Sequence, residues 1–246
     1  MILDQRTRAH LAATTRFGDI REFGSIASTN TYLLEEARGG AAEGVVAVAD
    51  HQTGGRGRLG RVWTAPPGTA LLVSVLLRPV GLPAGRRHLV TAAVALAAAR
   101  ACLDVAGFAP EIKWPNDLLV GGRKLAGILA EADQDAVVVG IGLNVVSAPS
   151  EAAAVDEVAG RAVDRGELLA RLLEGLEGWC CDLGSVAAAY RGACSTIGRR
   201  VRVELTAGTF TGSAEGVDDG GNLLVRSDTG DVVHVSAGDV IHLRPT

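Results

Sequence analysis

Polar and apolar positions in this chain fall into short blocks whose period changes along its length. In "STNTYLLEEARGG" the apolar residues recur at helical spacing behind a Ser28 or Thr29 cap and stop at Gly39, which predicts a helix. "GVVAVAD", Gly44 to Asp50, and "TALLVSVLLRP", ended by Pro79, are continuous apolar runs of strand length. Residues 86–106 are Ala-rich and predict a long helix. "EIKW", "DLLV", "KLAGILAEA" and "AVVVGIGLNVV" predict strands separated by turn signals in "PND" and "VGGRK". Residues 165–192 predict one helix, with Leu168, Leu169, Leu172, Leu173 and Leu176 at helical spacing. From Gly198 the texture becomes short strands with polar, Gly- and Asp-containing turns, the pattern of a small SH3-like β-barrel. Strands and helices mix without strict βαβ alternation in the first part, so an α+β fold with a mixed sheet is expected. The expected domains are residues 1–197 and 198–246.

Composition narrows the function classes. The chain has 246 residues, enough for one good-sized domain and a small one, and a formal net charge of −4. That balance argues against a general nucleic-acid binder, and 4% aromatic residues argue against a base-stacking platform. Cys102, Cys180, Cys181 and Cys194 form no C-x-x-C pair and no metal spacing, so they read as reduced thiols. "MILDQRTRAHLAATT" lacks the apolar core of a signal peptide. Val90–Leu103 is too short for a membrane span and contains an arginine. A soluble cytoplasmic protein with no membrane partner is expected.

Against that background "HQTGGRGRLGRVW", His51 to Trp63, stands out. It holds Arg56, Arg58 and Arg61 among Gly54, Gly55, Gly57 and Gly60. It reads either as a solvated surface loop or as a loop that closes around an anion. Guanidinium forks suit carboxylate and phosphate, and glycines allow close backbone approach. It is not a Walker A loop, because no G-K-[ST] follows. A second cluster, "KWPNDLLVGGRKLAG", contains Lys113, Asn116, Asp117, Arg123 and Lys124. Pro115 fixes a turn that presents Asn116 and Asp117 at a strand start. Asp117 reads as a site carboxylate or as an Asx-turn acceptor, and Lys124 as a pocket-wall ammonium or as an edge-strand charge. In "GIGLNV" the alternating Gly140 and Gly142 mark either close approach of a ligand to a strand or a bulge. Trp63, beside the basic loop, is better placed than Trp114 to cover a flat ligand.

"SIASTN", "GRGRLGRVW", "KWPNDLLV", "RKLAGILAE" and "GIGLNV", in this order and at these separations, resemble the biotin protein ligases. The resemblance covers about residues 19–246, including the closing "GDVIHLRP". Lipoate ligases share the fold but are not expected to combine the GRGR loop with KWPND. The resemblance implies an ATP-dependent reaction in two steps. Biotin and MgATP give biotinyl-5′-AMP and pyrophosphate, and a specific lysine of the biotin carboxyl carrier domain of a carboxylase then attacks the mixed anhydride. It implies that Arg56, Arg58, Lys124 and Asp117 carry the chemistry. It places biotin on Ser28, Thr29, Asn30, Gln52, Arg56, Gly57, Arg58, Lys124, Gly127, Leu129, Gly140 and Gly142. It places the nucleotide on Arg58, Arg61, Trp63, Asn116, Lys124, Asn144 and Arg244. Mg²⁺ is implied mainly through the ATP phosphates, with Asp117 as a further contact or as the group that orients or deprotonates the incoming lysine. Many bacterial relatives carry an N-terminal winged helix. Here "STN" begins at residue 28, so a monofunctional ligase, monomeric or homodimeric and without nucleic-acid binding, is expected. A DNA-binding regulator and a pure biotin- or nucleotide-binding module are the alternatives from other classes.

Overall fold

The structure, a computed structural model, describes residues 2–243 except 80, 207 and 237. Seven strands form a mixed sheet: β1 (Ile20–Phe23), β2 (Val46–Ala49), β3 (Ala70–Leu77), β4 (Glu111–Lys113), β5 (Asp117–Val120), β6 (Arg123–Asp133) and β7 (Ala136–Asn144). Their order is β1-β2-β3-β7-β6-β5-β4; β1 and β2 are parallel, and the remaining pairs are antiparallel.

The pleat sends alternate residues to opposite faces. Val46 and Val48 of β2, Val73 and Val75 of β3, and Val139 and Ile141 of β7 join a large core with three helices: α3 (His88–Ala106), α5 (Arg165–Cys181) and α6 (Leu183–Ala193). Ala47, Leu76 and Val138 face the other way, against Leu33 and Ala37 of α2 (Thr29–Arg38). Ser28 caps α2 by accepting from the Thr31 amide, and Gly39 ends it, as the pattern predicts. α3 is long and apolar enough to cross a membrane, but 72% of its most apolar window is buried inside the protein.

The helix expected over 165–192 is two. Asp182 has φ −140° and ψ 71°, ends α5, and starts α6 by accepting from the Ser185 amide at 3.3 Å. Its carboxylate offers those amides a partner outside a continuous helix. Three elements lack a legible pattern. α1 (Gln5–Thr14) buries only Leu11, β1 is a four-residue edge strand, and α4 (Val155–Ala159) is barely one turn.

The C-terminal strands β8 (Arg200–Leu205), β9 (Gly208–Val217), β10 (Leu223–Ser227), β11 (Val232–Val235) and β12 (Asp239–His242) make a second, antiparallel sheet in the order β11-β10-β9-β8-β12. Val201, Val203, Ala214, Val225 and Val240 form its buried side. Buried Trp114 joins the sheets: its amide donates to Thr196 Oγ1 at 3.1 Å and its indole to the Gly221 carbonyl at 2.9 Å.

Candidate active site

On the α2 side of the large sheet, beyond the end of that helix core, lies a cavity of about 320 Å³. Its floor exists because β6 and β7 place glycine where the pleat would otherwise aim side chains into it. A Cβ on Gly140 would sit 2.2 Å from Asn30 Oδ1. One on Gly142 would sit 2.5 Å from Trp63 Cε2, and one on Gly127 would sit 3.1 Å from Lys124 Nζ and 3.2 Å from Trp63 Cζ3. The ladder runs through Gly140 and Gly142 in unbroken register, so these glycines serve close approach rather than a bulge.

The first turn of α2 forms one wall, polar and buried. The Thr29 amide and hydroxyl both donate to Gln52 Oε1, at 2.8 and 3.0 Å. Ser74, fully buried on β3, donates to Asn30 Oδ1 at 2.6 Å and lies 2.7 Å from Thr29 Oγ1. The Asn30 amide nitrogen donates to the Leu129 carbonyl (3.1 Å) and to Glu131 Oε2 (2.8 Å). Both amide protons of Asn30 are therefore held by protein acceptors, and the residue braces the wall.

The glycine–arginine segment is a hairpin-like loop, closed by Trp63 N donating to the Gly55 carbonyl (3.0 Å) and Gly57 N donating to the Arg61 carbonyl (2.7 Å). Leu59 at its tip takes φ 56°, a left-handed conformation that non-glycine residues rarely adopt, and is 70% exposed. The three arginines go different ways. Arg56 donates to Thr31 Oγ1 (3.0 Å) and to Glu131 (2.9 Å), so its charge is offset within the protein. Arg58 donates to Asn116 Oδ1 (3.0 Å) and across to the Gly238 carbonyl (2.9 Å). Arg61 pairs with Asp239 of β12.

Opposite the loop, Asp117 on β5 and Lys124 on β6 form an ion pair at 2.7 Å, and the Lys124 ammonium stands 5.8 Å from the centre of the Trp63 ring. Asn116 is held by donating to the Ile128 carbonyl at 2.8 Å, which aims its oxygen at Arg58. Lys113 completes the cluster. Burial pushes its pKa down; Asp117 opposes this, while Lys124 and Arg61 add to it. Burial likewise lowers Arg58, with Asp117 opposing. The cavity walls carry five cations, Arg56, Arg58, Arg61, Lys113 and Lys124, against the carboxylates of Asp117, Glu204 and Asp239. A chain of net charge −4 thus concentrates positive charge at one place, which suits an anionic ligand.

The cavity gathers Ser28, Thr29, Asn30, Gln52, Arg56, Gly57, Arg58, Arg61, Trp63, Asn116, Asp117, Lys124, Gly127, Leu129, Gly140 and Gly142 from the sequence reading. It does not gather Asn144, which is buried and donates to the Ala153 carbonyl at 3.2 Å. Arg244 lies outside the described residues. The motifs assigned no role to Ser74 or Glu131, or to the barrel wall of Glu204, Asp239, Val240 and Ile241. Lys113 was visible inside KWPND but carried no assigned role. Among the described residues no group of three His, Cys, Asp or Glu side chains could hold a metal, and Asp117 is already paired with Lys124. The described residues therefore do not fit a resident metal site.

Comparison with known proteins sets the class. Residues 22–145 match the Biotin/lipoate A/B protein ligase family, and residues 196–243 match the Biotin protein ligase C terminal domain. The chain is 43% identical over 230 residues to the biotin–[acetyl-CoA-carboxylase] ligase of Mycobacterium tuberculosis, covering 88% of this chain and 86% of that one. It is 34% identical to the bifunctional ligase/repressor BirA of Bacillus subtilis, covering 83% of this chain and 68% of that one. Its fold matches the biotin protein ligase from Aquifex aeolicus in complex with biotin and ATP, with a TM-score of 0.80, 27% identity, and coverage of 92% of this chain and 100% of that one. The chain belongs to the biotin protein ligase family.

Proposed function

We propose that this chain is an ATP-dependent biotin protein ligase that makes biotinyl-5′-AMP and transfers the biotinyl group to a lysine of a carboxylase carrier domain. The observation that carries the reading is the joining of two unlike halves in one cavity. One is a neutral, polar, glycine-floored half beside α2, and the other is a cationic half under the arginine loop. The first suits the ureido ring of biotin, and the second suits its carboxylate and the α-phosphate.

Those two anions repel each other. Unit charges 4 Å apart in a partly screened site repel by about 4 kcal/mol. Arg58 and Lys124, supported by Lys113, offset this and stabilise charge as the biotin carboxylate oxygen bonds to the α-phosphorus and pyrophosphate leaves. Arg61 and Trp63 hold the nucleotide, with the indole covering adenine. In the second step the carrier lysine amine attacks the acyl carbon, AMP departs with the bond electrons, and Asp117 takes the amine proton once the adenylate draws Lys124 aside. Arg56 contributes through the loop backbone rather than as a free charge, because Glu131 holds its guanidinium. Mg²⁺ enters with the triphosphate as part of the co-substrate. The proposed boundary between catalytic unit and barrel is 197/198. The proposed setting is the cytoplasm, as monomer or homodimer.

Incubation with labelled biotin, ATP and an acceptor carrier domain tests the reading. Pyrophosphate release that requires biotin, followed by label on the carrier, is the expected result. Biotin binding with neither event would reduce the protein to a binding module.

A further inference from the structure

The loop is fastened on two sides. Arg58 and Arg61 tie its tip to β12 and the residue before it, and Arg56 ties its base to β6. The second tie converges on one carboxylate. Glu131 Oε2 accepts from Arg56 Nη2 at 2.9 Å and from Asn30 Nδ2 at 2.8 Å, and the same Arg56 nitrogen reaches Thr31 Oγ1 at 3.0 Å. Asn30 in turn accepts from buried Ser74. One acidic side chain therefore joins the covering loop, the first turn of α2 and the centre of the sheet. Glu131 itself lies outside the cavity wall, and its side chain is 23% exposed.

We propose that Glu131 is a positioning residue that sets how far the Gly54–Arg61 loop closes over the cavity, acting through Arg56 and Asn30; this rests on the ligase reading above. Arg56 and Val62 form a bridge across the loop, and Gly57 and Arg61 are hydrogen-bonded just beyond it. A pull on Arg56 is therefore transmitted to Arg58 at the tip. With the Glu131 tie intact, the loop is held near its closed position before ligands arrive, so less ordering remains to be done on binding. Without it, the tip is held only from the barrel side. A reactive mixed anhydride then escapes or meets water more often.

Glu131→Gln keeps an oxygen for Asn30 and removes the charge that holds Arg56. An ion pair this exposed is worth a modest factor, about 2–5-fold. The expected result is amide hydrogen exchange across residues 54–61 faster by that factor in the ligand-free enzyme. Biotinyl-5′-AMP should leave the enzyme faster by a similar factor, with the thermal midpoint unchanged within about 2 °C. Arg56→Gln should reproduce both effects, and the double variant should add nothing to either single change. Asp133→Asn, which breaks the neighbouring Arg38–Asp133 pair on the same strand, should change neither. Wild-type loop exchange and adenylate retention in Glu131→Gln would overturn the proposal even with ligase activity established. Absence of biotin-dependent pyrophosphate release from the wild type would instead overturn the ligase reading.

Discussion

Gly142→Ala adds one methyl group to the cavity floor, and its consequence can be worked from the structure. The new Cβ would lie 2.5 Å from Trp63 Cε2, 2.7 Å from Nε1 and 2.8 Å from Cζ2. Carbon atoms in comfortable contact stand about 3.5–4.0 Å apart, so something must move by about 1 Å. The strand cannot give, because Gly142 is paired with Leu72 on one side and Gly127 on the other. The indole must lift instead. Alanine is at ease in an extended strand, and its stiffer unfolded chain returns about 0.4–1 kcal/mol, which offsets part of the crowding. Stability should therefore change by no more than about 2 kcal/mol. The chemistry should suffer far more, since about 1 Å of misplacement around reacting groups can reduce a rate about 10²-fold, or about 2.7 kcal/mol of barrier. Biotin-dependent pyrophosphate release gives kcat/KM, and tryptophan fluorescence reports the displaced ring. In a Trp63→Ala background the same substitution should do little more, because its target is gone. A Gly142→Ala enzyme within about 3-fold of wild type, with unchanged fluorescence, would refute the reasoning.

Lys124→Ala should lower adenylate formation about 10²–10³-fold with little loss of stability, because the side chain is 41% exposed; near-normal pyrophosphate release would remove it from the anion clamp. Trypsin should cut at Arg56, Arg58 and Arg61 more slowly once biotin and ATP are bound, and equal cutting with and without ligands would count against a closing loop. Burial, with Lys113 and Arg199 nearby, pushes the His242 imidazole down to about 4. The unfolded chain, with an imidazole near 6.5, therefore binds the proton first, and stability is lost as the pH falls from about 6.5 to about 4. The loss should be about 1–2 kcal/mol after allowance for partial exposure, and His242→Gln should flatten that stretch of the stability–pH curve measured by urea titration.

Local chemistry decided what could be read before the fold was known. The Ser28 cap and the Gly39 stop bracket α2 because both act within one turn of their own backbone. Gly140 and Gly142 of β7 could be singled out because each interrupts an apolar run, whereas Gly127 of β6 came only from the family motif. α1 has no such signal: with only Leu11 buried it has no apolar stripe, and it holds through an Asp4 cap and side-chain contacts. The break at Asp182 was hidden because no proline marks it and the leucines from 168 to 176 carry the helical spacing most of the way to it. Ser74 and Glu131, the latter in view as the last residue of RKLAGILAE, had no assignable role for a different reason. Their partners lie 44 and 101 residues away in Asn30, and a serine in a strand or a glutamate near a strand end is unremarkable until the sheet brings them together. The barrel's share of the cavity depends on how two sheets meet, which no period in either segment encodes.

The glycine floor also limits how the enzyme can be remodelled. Selection for activity on a bulkier analogue of its small-molecule substrate usually proceeds by trimming the side chains that touch it. On β7 there is nothing left to trim, since Gly140 and Gly142 already carry the smallest side chain the genetic code offers, and Gly127 on β6 is the same. New room must come from Leu129 or from repacking Trp63. Nor does an alanine simply shrink the site, since its Cβ would meet Asn30 at Gly140 and the Trp63 ring at Gly142. The floor therefore fixes the substrate range from both directions: it cannot be cut back, filling it displaces the wall or the covering ring, and change must be taken at its edges.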